Sequence, residues 1–71
     1  MNTISITTEY ITLGQCLKMI HAVSSGGESK RFLQSNEVWV NQERETRRGR
    51  KLYPGMVVTW NQTTYEVQRE A

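Results

Sequence analysis

With 71 residues, 37% of them apolar and nine Lys and Arg against seven acids, the chain is one domain with a small core, burying about 60% of its unfolded surface. No apolar run is long enough to span a bilayer, and Met1-Asn2-Thr3-Ile4 lacks the basic-then-apolar order of a secretory signal. The single cysteine, Cys16, excludes an internal disulfide framework, so a cytoplasmic globule is expected.

Ile4 and Ile6 alternate with Thr3, Ser5 and Thr7, which predicts a short half-buried strand. Thr12 and Gln15 have capping-box spacing and open a first helix, in which Leu13, Cys16, Leu17 and Ile20 form one buried stripe. His21-Ala22-Val23-Ser24 closes that helix, with His21 complementing its dipole. Ser25 with Glu28 repeats the capping-box spacing, and a second helix is expected over residues 26–34. Its wheel gives Ser29, Phe32 and Leu33 to the core; Gly27, Lys30, Arg31 and Gln34 share the opposite side. The two helices and their short connection form a helical hairpin or a helix-turn-helix-like unit.

Asn36 is expected to end the second helix in the left-handed conformation. Val38 and Val40 then alternate with Glu37 and Trp39, leaving Trp39 on the outer face of a strand. Asn41-Gln42 turns into a return strand near residues 43–45, Pro54-Gly55 marks a second turn, and residues 56–60 form a β-rich run. Asn61 to Thr64 turn into a last strand at Tyr65-Glu66-Val67, and Trp60, Tyr65 and Tyr53 are expected to anchor the core. The order predicts an α+β domain: two short helices packed on a small, mostly antiparallel sheet of four to five strands.

Nothing in this pattern is organised for catalysis. Cys16 and His21 lie five residues apart on one helix, about 140° around its axis, and form no dyad. One Cys and one His make no standard zinc site, the acids form no matched pair, and Gly26-Gly27 lacks the spacing of a nucleotide-binding loop. No enzyme, cofactor, metal or small-molecule substrate is expected.

Charge is more informative. Residues 44–51 carry Arg44, Arg47, Arg48, Arg50 and Lys51 against Glu45 alone, a net +4, whereas the rest of the chain is −2. Such a basic patch on a mildly acidic body is the footprint of a polyanion-binding surface. Gly26 and Gly27 leave the amides of the second helix start uncovered, so that Ser25, Gly26 and Gly27 could meet a phosphate. Their alternative role is a tight interhelical turn with close helix–strand packing.

The run from Ser25 to Asn41 resembles the RNA-binding domain named after ribosomal protein S-four, the αL motif. Ser25 matches the family serine, Ser29 stands for its alanine, Leu33 for its aliphatic residue, and Val38, Val40 and Asn41 for its Val-x-Val-Asn ending. Leu13 and Leu17 match leucines of the first helix, and Tyr53-Pro54-Gly55 with Val57-Val58 matches the late turn and strand. The Gly-Gly pair and the stretch from Arg47 to Gly55 look most like the small stand-alone bacterial members, the YaaA/YbcJ-like group. Gly26 replaces the family arginine, Asn36 and Gln42 replace glycines, and Met56 replaces an acidic residue. Gln42 suits a glycine-type hairpin turn poorly.

The resemblance implies a single non-catalytic domain over residues 1–71: a strand extension at 1–9, a helix–helix–hairpin core at 12–45, a basic loop at 46–51 and C-terminal strands at 52–68. It implies a monomer that binds structured RNA, ribosomal or transfer, in the setting of the ribosome. The contacts expected are Ser25, Gly26, Gly27, Lys30, Arg31, Asn41, Arg47, Arg48, Arg50 and Lys51. A protein-interaction module docking the basic loop on an acidic or ribosomal partner is the alternative.

Overall fold

The computed structural model describes residues 2–70, so Met1 of the expected N-terminal extension and Ala71 lie outside the described residues. Its elements in chain order are β1 (Asn2–Ile6), β2 (Ile11–Thr12), α1 (Leu13–Met19), α2 (Glu28–Ser35) and β3 (Val38–Val40). They are followed by β4 (Glu43–Arg44), β5 (Lys51–Leu52), β6 (Val57–Trp60) and β7 (Thr63–Arg69). Five strands form one sheet in the order β1-β7-β6-β3-β4, and β2 pairs with β5 as a separate two-stranded ribbon. The α+β architecture agrees with the pattern of the sequence. All pairings are antiparallel except β1 with β7, which run parallel and match Ile4 to Val67. That pairing places the first described strand beside the last.

Period-two alternation decides which sheet face is covered. Ile4, Ile6, Val38, Val40, Val58 and Val67 are buried and join Leu13, Cys16, Leu17 and Leu33 of the helices in one core. Phe32 meets Trp60 edge to face at 5.3 Å, linking α2 to the sheet. Trp39 projects outward as expected, and a Thr59–Thr64 hydroxyl pair at 3.3 Å lies across two neighbouring strands. Among the described residues, no helix is long and apolar enough to cross a membrane.

Capping differs between the helices. Thr12 and Gln15 form the full reciprocal box at the start of α1. The Ser25–Glu28 box does not form. Gly27 is the N-cap in a helical conformation with no side-chain bond, and α2 begins two residues later than expected. The Ser25 and Gly26 carbonyls instead accept from the Glu28 and Ser29 amides, each closing a turn over three residues. Asn36 is a second correction. It is extended, with φ −129°, and it ends α2 through its side-chain amide and its backbone N–H, both donating to the Phe32 carbonyl. It needs no left-handed backbone because its own side chain reaches the free carbonyl.

The tight hairpin turns carry the strain. Asn41 and Gln42 have φ of 49° and 70°, and Asn61 and Gln62 have 54° and 64°. Positive φ at both central positions matches the twist of the flanking strands. Gln42 therefore adopts the glycine-type turn despite its side chain. Asn41 holds its turn from two sides: its N–H donates to the Val57 carbonyl, and its Oδ1 accepts from the Val57 N–H. At Pro54-Gly55, φ of +94° at Gly55 and a bond from the Met56 amide to the Tyr53 carbonyl make a type II turn.

Among the described residues, the core has one flaw. Ser29 is fully buried, and its hydroxyl has no hydrogen-bond partner. Ser29→Ala is therefore expected to raise stability by about 1 kcal/mol, by removing an unsatisfied hydroxyl and improving helix propensity. A rise in urea midpoint at unchanged slope would show it. Gln62→Gly, which relieves a left-handed side chain, is expected to add about 0.5–1 kcal/mol in the same measurement.

Candidate nucleic-acid interface

The basic loop is built around Glu45. Its carboxyl is almost completely buried, with 7% of the side chain exposed. An isolated charge there would be costly, but every lone-pair direction is engaged. Oε2 accepts from the Thr46 and Arg47 backbone amides and from Arg47 Nε, each at 3.0 Å. Oε1 accepts from Arg47 Nη2 at 3.1 Å and Arg50 Nη1 at 2.8 Å. The two carboxylate oxygens are thus bridged by one guanidinium in fork geometry, the strongest form of this pair. The Arg47 side chain lowers the Glu45 pKa to about 2, assisted by the two backbone amides and Arg50 and opposed by burial.

The loop then docks on α1. The Leu13 amide donates to the Arg50 carbonyl and the Gly14 amide to the Arg48 carbonyl, both at 2.8 Å. These bonds satisfy two free donors at the helix start. Gly14 makes the approach possible: a Cβ there would stand 3.4 Å from the Arg48 carbonyl oxygen and 3.3 Å from Ser29 Oγ. Loop and α2 therefore converge over one buried glycine. β5 continues the loop by pairing Lys51 with Thr12 and Leu52 with Ile11.

This geometry sorts the residues expected to bind. Lys30, Arg31 and Arg48 are exposed, as are Ser25, Gly26 and Gly27. Arg47 and Arg50 belong to the Glu45 cluster, so the loop's charge is partly neutralised; Arg47 remains largely exposed. Lys51 lies in β5 with its ammonium 5.1 Å from the Tyr10 ring centre. Asn41 is exposed, but its side-chain oxygen serves the hairpin turn. A Cβ would meet nothing within 4 Å at Gly26 and only Ser25 Oγ, at 3.9 Å, at Gly27, so close helix–strand packing does not explain the pair. Arg44 leaves the loop and donates to the Asn36 carbonyl at 3.3 Å.

Three residues carry weight that sequence reasoning missed. Glu45 looks like one acid diluted by bases, Gly14 like an ordinary helix position, and Tyr10 falls between the expected N-terminal strand and the first helix. The signal for Glu45 was available: Arg at two and five residues beyond a lone acid can fold back on it. Tyr53 corrects an expectation, being 46% exposed instead of anchoring the core. Its turn directs it outward to Tyr10, ring centres 5.5 Å apart. Cys16 is a core residue whose thiol is pushed up to about 12 by burial. It holds no thiolate at neutral pH.

Glu45→Gln is expected to cost about 2 kcal/mol through loss of charge-assisted bonds. The acid limb should change too. A folded pKa near 2, against 4.5 for the free group, contributes stability that is complete above the unfolded value and is lost as pH falls from about 5 toward 2. Urea midpoints between pH 7 and pH 2 should fall less steeply for the variant than for the parent.

Comparison with known proteins agrees with the fold and the order of motifs. The S4 domain family matches residues 4–68. "Probable ribosome maturation protein RlbA" of Bacillus subtilis (strain 168) is 60% identical over 57 residues, 80% of this chain and 80% of the relative. The match takes in nearly all of the sheet, both helices and the basic loop, and the chain belongs to the S4 domain family.

Proposed function

We propose that this chain is a non-catalytic RNA-binding module that recognises structured RNA, ribosomal or transfer, in the setting of the ribosome. The observation that carries this reading is the fixed cationic loop at residues 46–51, held by Glu45 and docked on α1 beside α2. Membership of the S4 domain family and similarity to a relative named as a probable ribosome maturation protein support it.

The mechanism follows from which charges are free. Arg48, Lys51, Lys30 and Arg31 track the phosphate backbone, and the exposed turn at Ser25, Gly26 and Gly27 approaches a phosphate closely. Arg47 and Arg50 contribute partly neutralised charge and, above all, loop shape. A preformed loop lowers the ordering cost of association. Discrimination comes mainly from matching the shape of a folded RNA.

The test is fluorescence anisotropy with a folded ribosomal RNA fragment and a DNA duplex of equal length at two salt concentrations. Tighter RNA binding with a steep salt dependence is the expected result; equal binding would leave only a general polyanion surface. Binding to neither, with ribosomal proteins co-purifying after nuclease treatment, would favour protein docking. Arg48→Ala is expected to weaken RNA binding and reduce the salt slope by about 1. The urea midpoint should stay unchanged, because the Arg48 carbonyl and not its side chain makes the bond to α1.

A further inference from the structure

Beside the arginine loop lies an open groove of about 480 Å³ lined by Arg47, Gly49, Arg50, Lys51, Tyr53 and Met56. Its size falls in the range of roughly 300–1,000 Å³ typical of small-ligand clefts. Three cations line it, and with the Glu45 carboxylate on Arg47 and Arg50 the cluster carries a net +2. Its aromatic wall is Tyr53, which is exposed, whereas Phe32, Trp60 and Tyr65 pack against the core.

Tyr53 is held where it is. It occupies the first position of the type II turn closed by Pro54 and Gly55, and its backbone N–H donates to Met56 Sδ at 3.2 Å. Tyr10 braces the ring at 5.5 Å with a 46° tilt, and the Lys51 ammonium sits over Tyr10. The flat surface is therefore ordered in advance, with positive charge beside it. An aromatic face next to a cationic track suits a ligand that has a π face and a phosphate. A base inside a regular helix offers its edges and backbone, whereas an unpaired base can be splayed out and stacked.

We propose that this groove seats one unpaired nucleotide of the bound RNA, its base stacked on Tyr53 and its phosphate met by Lys51 and Arg47. This rests on the RNA-binding reading and specifies the RNA element recognised: a bulge or loop nucleotide flanked by paired segments.

The test uses three RNA hairpins of the same stem: fully paired, with one bulged adenosine, and with an abasic residue in place of that adenosine. The last two carry equal phosphate charge. Anisotropy should show the bulged hairpin bound about tenfold more tightly than the abasic one, the scale of one base–aromatic stack. Tyr53→Phe should keep that difference and Tyr53→Leu should abolish it, while the Tyr53→Leu variant binds the paired hairpin as the parent does. Equal affinity of the parent for bulged and abasic hairpins would overturn the stacking site and leave the RNA-binding reading standing. So would a Tyr53→Leu variant that still discriminates. Salt-independent or undetectable binding to all three would overturn both.

Discussion

The buried carboxylate of Glu45 is the constraint on which the basic surface depends. Four cations within residues 47–51 repel one another and would keep an exposed loop extended. One acid placed beneath them reverses that. It accepts five hydrogen bonds, two from backbone and three from guanidinium groups, and so fixes chain direction and side-chain position together. Burial alone would make that charge unfavourable, yet the pKa moves down, so pairing outweighs desolvation. Removal of either partner is costlier than the pair's net contribution, because it leaves the other charge unpaired.

Around that clamp the remaining structure acts as a frame. The loop's carbonyls at Arg48 and Arg50 cap the start of α1, and Gly14 lets them come close. The helix stripe of Leu13, Cys16 and Leu17 seats α1 in the core, and Phe32 on Trp60 seats α2 on the sheet. A small domain thereby gives a basic surface rigidity without a large core. The orphaned Ser29 hydroxyl lies at the same junction, 3.3 Å from where a Gly14 Cβ would stand. The junction is tightly filled but imperfectly satisfied.

Local rules predicted most of this fold because most of it is local. Alternation in Val38-Trp39-Val40 and the leucine stripe of α1 each involve neighbours a few residues apart, and both appear in the structure. The Ser25 box failed because the Ser25 carbonyl, and not its hydroxyl, takes the Glu28 amide. Asn36 kept its capping task by a route that spacing does not encode. The β2–β5 ribbon joins residues forty apart through two pairs only, too few to leave a periodic signal. At the candidate site the charges were legible from composition. Their division into clamped and free was not, since it depends on Glu45 being buried. Tyr53 was misplaced for a related reason: aromatic residues favour cores on average, and only the turn geometry at Pro54-Gly55 sends this one outward.

Clamping two arginines has opposite effects on affinity and on selectivity. Each guanidinium held by Glu45 attracts phosphate less than a free one, which lowers the counterion-release contribution available from any polyanion. Nonspecific binding depends almost wholly on that contribution and is weakened directly. Binding to a surface of matching shape loses the same charge but gains a loop already in position, with less entropy to lose on contact. The net +2 that remains lies beside an ordered tyrosine, on a chain whose other residues sum to zero net charge. In the proposed binding mode, a ligand that supplies phosphate alone meets only part of this surface, and one that presents phosphate and an exposed base in the right order meets all of it.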